Sequence, residues 1–159
     1  MAISIQSASL VRQKTRMYTK NPLIFYTLKA FFLYHSTNKS NADLQLILLD
    51  DADLTGTDGV VSADAACVLY VAYLKKRATA TDSYLKLYDD ATDDSTAANE
   101  RITLPILEAS EDHIAVFPSG VTFATGIVAT SHTTSNGTTD STAGDSGDGF
   151  LIIGASGTN

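Results

Sequence analysis

ACVLYVAYLKK, residues 66–76, is the clearest β-strand in this sequence, and YLKLYD, residues 84–89, follows it as a second. Tyrosine and leucine are prominent in both runs, with valine in the first, and these residues suit a pleated surface that is at least half buried. The polar RATATD between them is typical of a turn, so we expect the two strands to form a hairpin. Alternation of side chains predicts two faces for each strand. In the first strand, one face is predicted to carry Val68, Tyr70 and Ala72 and the other Leu69, Val71 and Tyr73. In the second strand, one face is predicted to carry Leu85 and Leu87 and the other Tyr84, Lys86 and Tyr88.

Short apolar runs on both sides of this pair predict a domain built from strands. Many such runs separated by turns indicate an all-β fold, a single β-sandwich or jelly-roll domain. Pro105 lacks a backbone donor, so its strand is expected at a sheet edge or a bulge. The runs are 44–50, 101–107, 113–118, 121–130 and 150–155, after a weak edge strand in the opening AISIQSASLV.

The most apolar run, PLIFYTLKAFFLY at 22–34, fits two local structures. Asn21 can cap a helix that has Pro22 in its first position, but the aromatic and β-branched residues favour a strand. We therefore expect a strand over 23–35. The run is shorter than the roughly 20 apolar residues of a transmembrane helix, and Lys29 interrupts it, so neither membrane insertion nor a secretion signal is expected.

Charge is divided unevenly along the chain. Residues 1–42 carry six bases and no acid, whereas residues 43–159 hold the other five bases and all 18 acids, so a +6 segment precedes a −13 body. We expect residues 1–21 to form an extended basic arm on a domain spanning 22–159. Such an arm docks on an acidic partner, on nucleic acid or on a neighbouring copy, with a solvated tail as the alternative. Direct readout of nucleic acid is not expected, because the acidic body repels phosphates. The arm residues expected to bind a partner are Arg12, Lys14, Arg16 and Lys20.

Residues 131–149, SHTTSNGTTDSTAGDSGDG, predict a flexible Ser/Thr/Gly surface loop. Its last residues share GDSG with the nucleophile motif of trypsin-like serine proteases, and the match fails after Gly147. A serine nucleophile needs a base within hydrogen-bonding reach and donors for the oxyanion. His132 lies in the same loop without a rigid scaffold. We therefore expect no catalytic role for Ser146, and no enzyme.

No metal site or cofactor is expected. Cys67 is the only cysteine and lies in an apolar strand, which predicts a small buried hydrophobe and excludes an internal disulfide. DADLTG at 51–56 begins like a calcium-binding loop, but Ser62 stands where a bidentate glutamate is needed, so a plain turn is preferred. The acidic run DDATDDSTAANE at 89–100 is expected to be a solvated loop.

More than half of the chain resembles a module of tailed-bacteriophage virion proteins. LYVAYLKK, TDSYLKLYDDA, ITLPIL and VTFATGIVATSHT follow one another as in that module. It has an apolar strand, a Tyr-Leu-Lys-Leu-Tyr-Asp strand, a Thr-Leu-Pro strand and a Phe-x-x-Gly-Ile strand ending in threonine. EASEDHIAVFP departs from the pattern, because a glycine-rich turn is expected there. The resemblance implies a jelly roll or sandwich, no catalysis and attachment to a capsid lattice.

The resemblance thus predicts a capsid decoration (cement) protein. Such a protein binds the major capsid protein on the virion surface and stabilises the head, after synthesis in the host cytoplasm. A homo-oligomer is implied, with a trimer at a local threefold axis as one arrangement. Two alternatives stay open. One is another virion part, such as a head–tail connector or a tail- or fibre-associated protein. The other is a carbohydrate-binding sandwich that stacks sugars on exposed Tyr84 and Tyr88.

Overall fold

Nine strands and one α-helix make up the described part of the chain. A computed structural model describes residues 2–4, 22–38, 44–49, 54, 60–76, 83–92, 97–106, 112–133, 135 and 147–155. Helix α1 is Pro22–Asn38, and a single 3₁₀ turn, Ala97–Asn99, leads into β6. The strands are β1 (Ala2–Ser4), β2 (Gln45–Leu49), β3 (Val60–Ala63), β4 (Cys67–Lys76), β5 (Ser83–Tyr88), β6 (Glu100–Ile106), β7 (Asp112–Phe123), β8 (Ile127–His132) and β9 (Gly147–Ala155).

The strands form two antiparallel sheets. One has the order β1–β2–β9–β4–β7 and the other β3–β8–β5–β6. From β2 to β9 the pairs are nested, β2 with β9, β3 with β8, β4 with β7 and β5 with β6, as in one long hairpin folded over on itself. This order is a jelly roll, so the expected all-β sandwich is confirmed. β6 is an edge strand, as Pro105 requires.

Two local expectations about connectivity are wrong. β4 and β5 lie in different sheets, so the hairpin expected from residues 66–89 does not form, and β5 instead pairs with β6. The strand expected over 121–130 is interrupted after Phe123 by a turn that carries the chain to the other sheet. Gly126 makes this turn possible, because a Cβ there would lie 2.3 Å from the carbonyl oxygen of Ala63.

The space between the sheets is filled by apolar side chains from both. Cys67 is buried among them, which confirms its expected role. Burial, and secondly the negative charge of Asp89, raise the pKa of its thiol to about 11, so the group stays protonated. The buried members of this core are Ile47, Leu49, Leu54, Cys67, Leu69, Ala72, Leu74, Leu85, Leu87, Phe123, Ile127, Ala129, Leu151 and Ile153.

Helix α1 covers the outer face of the five-stranded sheet, so the strand expected over 23–35 is wrong. Aromatic residues favour strands only where a pleated surface receives them, and here the sheet offers an apolar face on which a helical stripe packs. Pro22 occupies the first helical position, where its missing N–H has no partner to lose. The buried stripe is Ile24, Leu28, Phe31, Phe32 and His35, which repeats with helical spacing.

A β-bulge in β4 shapes the surface beneath the helix. Leu69 pairs with Ile153 and Val71 with Ile152, so Tyr70 is an extra residue in the strand. The ring of Tyr70 lies edge-on to that of His35, with centroids 4.8 Å apart. Past the bulge the strand faces are exchanged, so the strict alternation expected for residues 68–73 is wrong. Val68, Tyr70, Val71 and Tyr73 face the helix, whereas Cys67, Leu69, Ala72 and Leu74 face the other sheet.

Candidate functional site

The four basic residues expected to bind a partner, Arg12, Lys14, Arg16 and Lys20, lie outside the described residues. What is described of the expected arm is β1, residues 2–4, which forms the edge of the five-stranded sheet. Ala2 lies opposite Ile47 and Ser4 opposite Gln45. The edge strand predicted for the opening residues is therefore confirmed over 2–4, and residues 5–21 connect it to α1.

The imidazole considered as a base for Ser146 belongs to a sheet. Ser146 itself lies outside the described residues. β8 extends to His132 and β9 begins at Gly147, so both ends of the loop expected over 131–149 are strands. His132 is buried, and its Nε2 lies 3.1 Å from the hydroxyl of Tyr88. The expectation that His132 sits in a loop is wrong.

Gly149, the last residue of GDSGDG, has a packing role. β9 lies between β2 and β4 in the middle of the five-stranded sheet. A Cβ on Gly149 would lie 2.3 Å from the carbonyl oxygen of Tyr73 and 3.2 Å from the Cα of Leu74. Only glycine fits so close an approach of two backbones. The sheet therefore requires Gly149, which lies beyond Gly147, where the match to the protease motif ends.

A polar cluster lies on the outer face of the β5–β6 pair, opposite the core side chains Leu85 and Leu87. Lys86 Nζ donates a hydrogen bond of 2.8 Å to Glu100 Oε2, with side-chain exposures of 3% and 27%. The hydroxyl of Thr103 donates to the other carboxylate oxygen. Burial raises the pKa of Glu100, but these two hydrogen bonds and the nearby Lys86 and His132 outweigh burial and place the pKa below its usual value. A carboxylate held ionised by two donors stabilises the sheet and is a poor proton acceptor.

The tyrosine pair expected to stack on sugars is not exposed as a pair. Tyr88 is only 2% exposed, and its hydroxyl is engaged with His132. Tyr84, two residues earlier on the same face of β5, is half-buried. Because a stacking platform needs accessible ring faces, the expectation of two exposed tyrosines is wrong.

Asp89 joins two turns at one end of the sandwich. Its Oδ1 accepts hydrogen bonds from the backbone N–H of Thr125 at 2.9 Å and from the Thr125 hydroxyl at 2.8 Å, and its Oδ2 accepts one from Arg101 at 3.0 Å. Burial raises the pKa of Asp89, but hydrogen bonds from Ala124, Thr125 and Arg101 hold it well below its usual range. The Asp89 side chain is 8% exposed. The expectation of a solvated acidic loop is therefore wrong for this residue.

The remaining acidic residues do not assemble a described metal site. Asp90 accepts hydrogen bonds from Thr92 and Asn99, and those from Thr92 contribute most to lowering its pKa. Asp93 and Asp94 lie outside the described residues, and the calcium-like stretch 51–56 is described only at Leu54, which is buried. Within the described ranges, no group of three or more His, Cys, Asp or Glu is placed to hold a metal ion.

Helix α1 has a second apolar face, which is exposed. Because apolar residues occur on two opposite sides of the helix, the sequence shows no clear helical periodicity, and this exposed face was not predicted. Lys29 is the one Lys, Arg, Asp or Glu in the helix. No helix in the described part of the chain is long and apolar enough to cross a membrane. The exposed large residues are Leu23 (72%), Tyr26 (63%), Leu33 (67%) and Tyr34 (50%).

We expect Asp89→Asn to lower the free energy of unfolding at pH 7 by about 1–3 kcal/mol, because the ionised acceptor of the hydrogen bonds from Thr125 and Arg101 becomes a neutral amide. Folding depresses the pKa of Asp89. The carboxylate therefore stabilises the fold above its unfolded pKa of about 3.9 and loses that effect as the pH falls through the folded value. Urea unfolding should show the difference between wild type and variant narrowing below about pH 4. Asp64→Asn, at an exposed position, is the control, and a pH-independent difference for Asp89→Asn would contradict the assignment.

Comparisons with protein-family models, with curated proteins and with solved structures found no match to this chain.

Proposed function

We propose that this chain is a structural virion protein of a tailed bacteriophage, a decoration protein that binds the lattice of the major capsid protein on the outside of the head. The observation that carries the proposal is the nested order of β2 to β9. Jelly rolls with this order recur in viral capsid domains. The segments that resemble the virion module lie in β4, β5, β6, the last residues of β7, and β8 of this jelly roll.

The polar side chains of the sandwich support a binding role over a chemical one. Glu100 accepts hydrogen bonds from Lys86 and Thr103, and Asp89 accepts them from Thr125 and Arg101. Carboxylates engaged in this way hold strands and turns together. Jelly rolls also occur in lectins, but the buried Tyr88 removes the stacking pair that favoured sugar binding here.

The unequal charge supports attachment through the N-terminal segment. Residues 1–42 carry +6 and the rest of the chain −13. A basic segment is attracted to an acidic shell, and its attraction is weakened by salt because exposed charges are screened. The four residues assigned to this attachment are Arg12, Lys14, Arg16 and Lys20.

Replacing all four of these residues by alanine is expected to weaken binding to capsids at least about tenfold at low salt, since each exposed ion pair contributes up to about 1 kcal/mol. The variant should also show a flatter dependence of binding on salt. Co-sedimentation with capsids assembled from the major capsid protein alone measures both effects. The matched control exchanges Arg for Lys and Lys for Arg at the same positions, which keeps the charge and should keep the salt dependence. Unchanged binding by the alanine variant would exclude this attachment.

The number of copies in purified particles separates decoration from the other virion parts. A decoration protein is present in proportion to the capsid lattice, whereas a connector or tail-associated protein occurs only at one vertex or along the tail. Quantitative gel or mass-spectrometric analysis of particles gives the ratio to the major capsid protein. A ratio fixed by a single vertex would replace the decoration proposal with a connector or tail role.

A further inference from the structure

The exposed face of α1 has the residue spacing of a helix that packs against another helix. Leu23, Tyr26, Ala30 and Leu33 follow one another at intervals of three, four and three residues, and all four are exposed. This is the interval pattern of the seam between two packed helices. We call these four residues the α1 stripe. We propose that two copies of the chain associate by antiparallel packing of their α1 stripes.

The stripe lies on the opposite side of the helix from the residues that hold α1 on the sheet. At 3.6 residues per turn, Ile24, Leu28, Phe31, Phe32 and His35 occupy one side of the helix, and the α1 stripe occupies the other. The helix is thus fixed on a rigid β-sheet by one apolar side. It presents the second side, already ordered, to the outside. A preorganised face of this kind loses little conformational entropy when it binds.

The sequence of the stripe favours a second copy in the antiparallel direction. A two-fold axis at the level of residue 28 places Leu23 opposite the partner's Leu33 and Tyr26 opposite the partner's Ala30. The large Tyr26 then meets the small Ala30 on both sides of the axis, so the two helices can approach closely there. In a parallel pair, Tyr26 would meet the partner's Tyr26 and Ala30 would meet the partner's Ala30, which leaves a crowded layer beside an empty one. Self-complementarity under a two-fold axis is the property of an isologous dimer interface.

The exposed area reaches what a specific dimer needs. Leu23, Tyr26, Leu33 and the flanking Tyr34 are half to three-quarters exposed. Taking about 200 Å² for each whole side chain, they present roughly 500 Å² on one copy and 1,000 Å² on two. Specific interfaces begin near about 1,000 Å² of total buried surface. Lys29 is the only Lys, Arg, Asp or Glu in the helix, and interface centres are typically poor in charge and rich in tyrosine.

This inference goes beyond the proposed capsid binding and is independent of it. The dimer uses α1, whereas the capsid attachment is assigned to the basic arm. A chain that binds capsids as a monomer would overturn the dimer and leave the proposed function intact. A dimer that does not bind capsids would do the reverse.

Sedimentation equilibrium of the full-length chain, over concentrations up to about 100 μM, tests the association; weak specific interfaces are populated in that range. We expect a monomer–dimer equilibrium that Leu33→Glu weakens about 100-fold, because each dimer then places two carboxylates against the partners' Leu23. Lys29→Ala is the control on the same helix and should associate at least as tightly, because it removes a like charge near the two-fold axis. A monomer throughout, or a trimer, would overturn the proposal.

Cysteine cross-linking tests the direction of packing, and it holds even if Leu33→Glu fails to fold. Leu23→Cys and Leu33→Cys are made separately in a Cys67→Ala background. Under mild oxidation their equimolar mixture should form disulfide-linked dimers, and neither variant alone should do so. The two positions are about 15 Å apart in one helix, too far for an internal disulfide. Dimers from Leu23→Cys alone would indicate parallel packing and overturn the antiparallel arrangement.

Discussion

Phe32→Ala is expected to lower the free energy of unfolding by about 3–5 kcal/mol. Phe32 is 2% exposed and packs, with Phe31 at a ring-centroid distance of 5.2 Å, in the cluster between α1 and the five-stranded sheet. Truncation to a methyl group removes the transfer free energy of a buried ring and leaves a cavity that the helix and the sheet cannot close. The expected loss is a large part of the 5–15 kcal/mol by which domains are usually stable.

The same experiment distinguishes the helix from the strand that the aromatic residues suggested. In a strand, Phe31 and Phe32 would point to opposite faces, and only one of them could face the sheet. In α1 both are buried, so Phe31→Ala and Phe32→Ala should each be strongly destabilising in urea unfolding followed by circular dichroism. Lys29→Ala, at an exposed position of the same helix, should change the free energy by less than about 0.5 kcal/mol. A loss below about 1 kcal/mol at either phenylalanine would be inconsistent with α1 as described.

Gly149→Ala is expected to destabilise the chain by about 3 kcal/mol or more, because a methyl group would be forced against backbone atoms. The carbonyl oxygen of Tyr73 would lie 2.3 Å from the new methyl group, and the Cδ1 and Cα of Leu74 would lie 3.0 and 3.2 Å from it. The Leu74 side chain can rotate away, but the two backbone atoms cannot. Accommodation requires β9 to separate from β4, which would break the hydrogen bonds of two central strands.

Thermal unfolding measures this effect directly. A loss of 3 kcal/mol lowers Tm by about 6–12 °C in a domain of about 150 residues. Asp148→Asn changes the exposed neighbouring residue in β9 and should shift Tm by no more than a few degrees. If Gly149→Ala is recovered only in the insoluble fraction while Asp148→Asn is soluble, the steric explanation also holds. Equal Tm values for the two variants would refute it.

Most strands were predictable because their signals are local, whereas β3, Val60–Ala63, was not among the predicted runs. Alternation in β5, and the edge position that Pro105 imposes on β6, follow from neighbouring residues alone. Helix α1 was not predictable, because a helical period is recognised when one side is apolar and the other polar, and here both sides carry apolar residues. The bulge at Tyr70 is defined by how β4 pairs with β7 and β9, so the residues of β4 alone do not predict it.

The polar clusters were beyond sequence reasoning for a related reason. Asp89 and Thr125 are 36 residues apart and Tyr88 and His132 are 44 apart, so only the closed sandwich brings them together. The spacing of acids in DDATDDSTAANE gave no sign that the first of them binds a distant turn. Conversely, GDSGDG resembled a catalytic motif although Gly149 has a packing role, because small residues occur both in catalytic loops and where two backbones pack closely.

The central position of β9 sets the order in which the chain can be assembled during its synthesis. β9 lies between β2 and β4, although nearly 100 residues separate β2 from it along the chain. The β5–β6 hairpin can form as soon as both strands have left the ribosome, but β2 has its inner neighbour only after residues 147–155 are translated. Until then the edges of β2 and β4 that pair with β9 have no partner strand. Contacts between residues so distant in sequence also form slowly. A chain whose synthesis pauses before residue 147 therefore exposes strand edges with which other chains can pair.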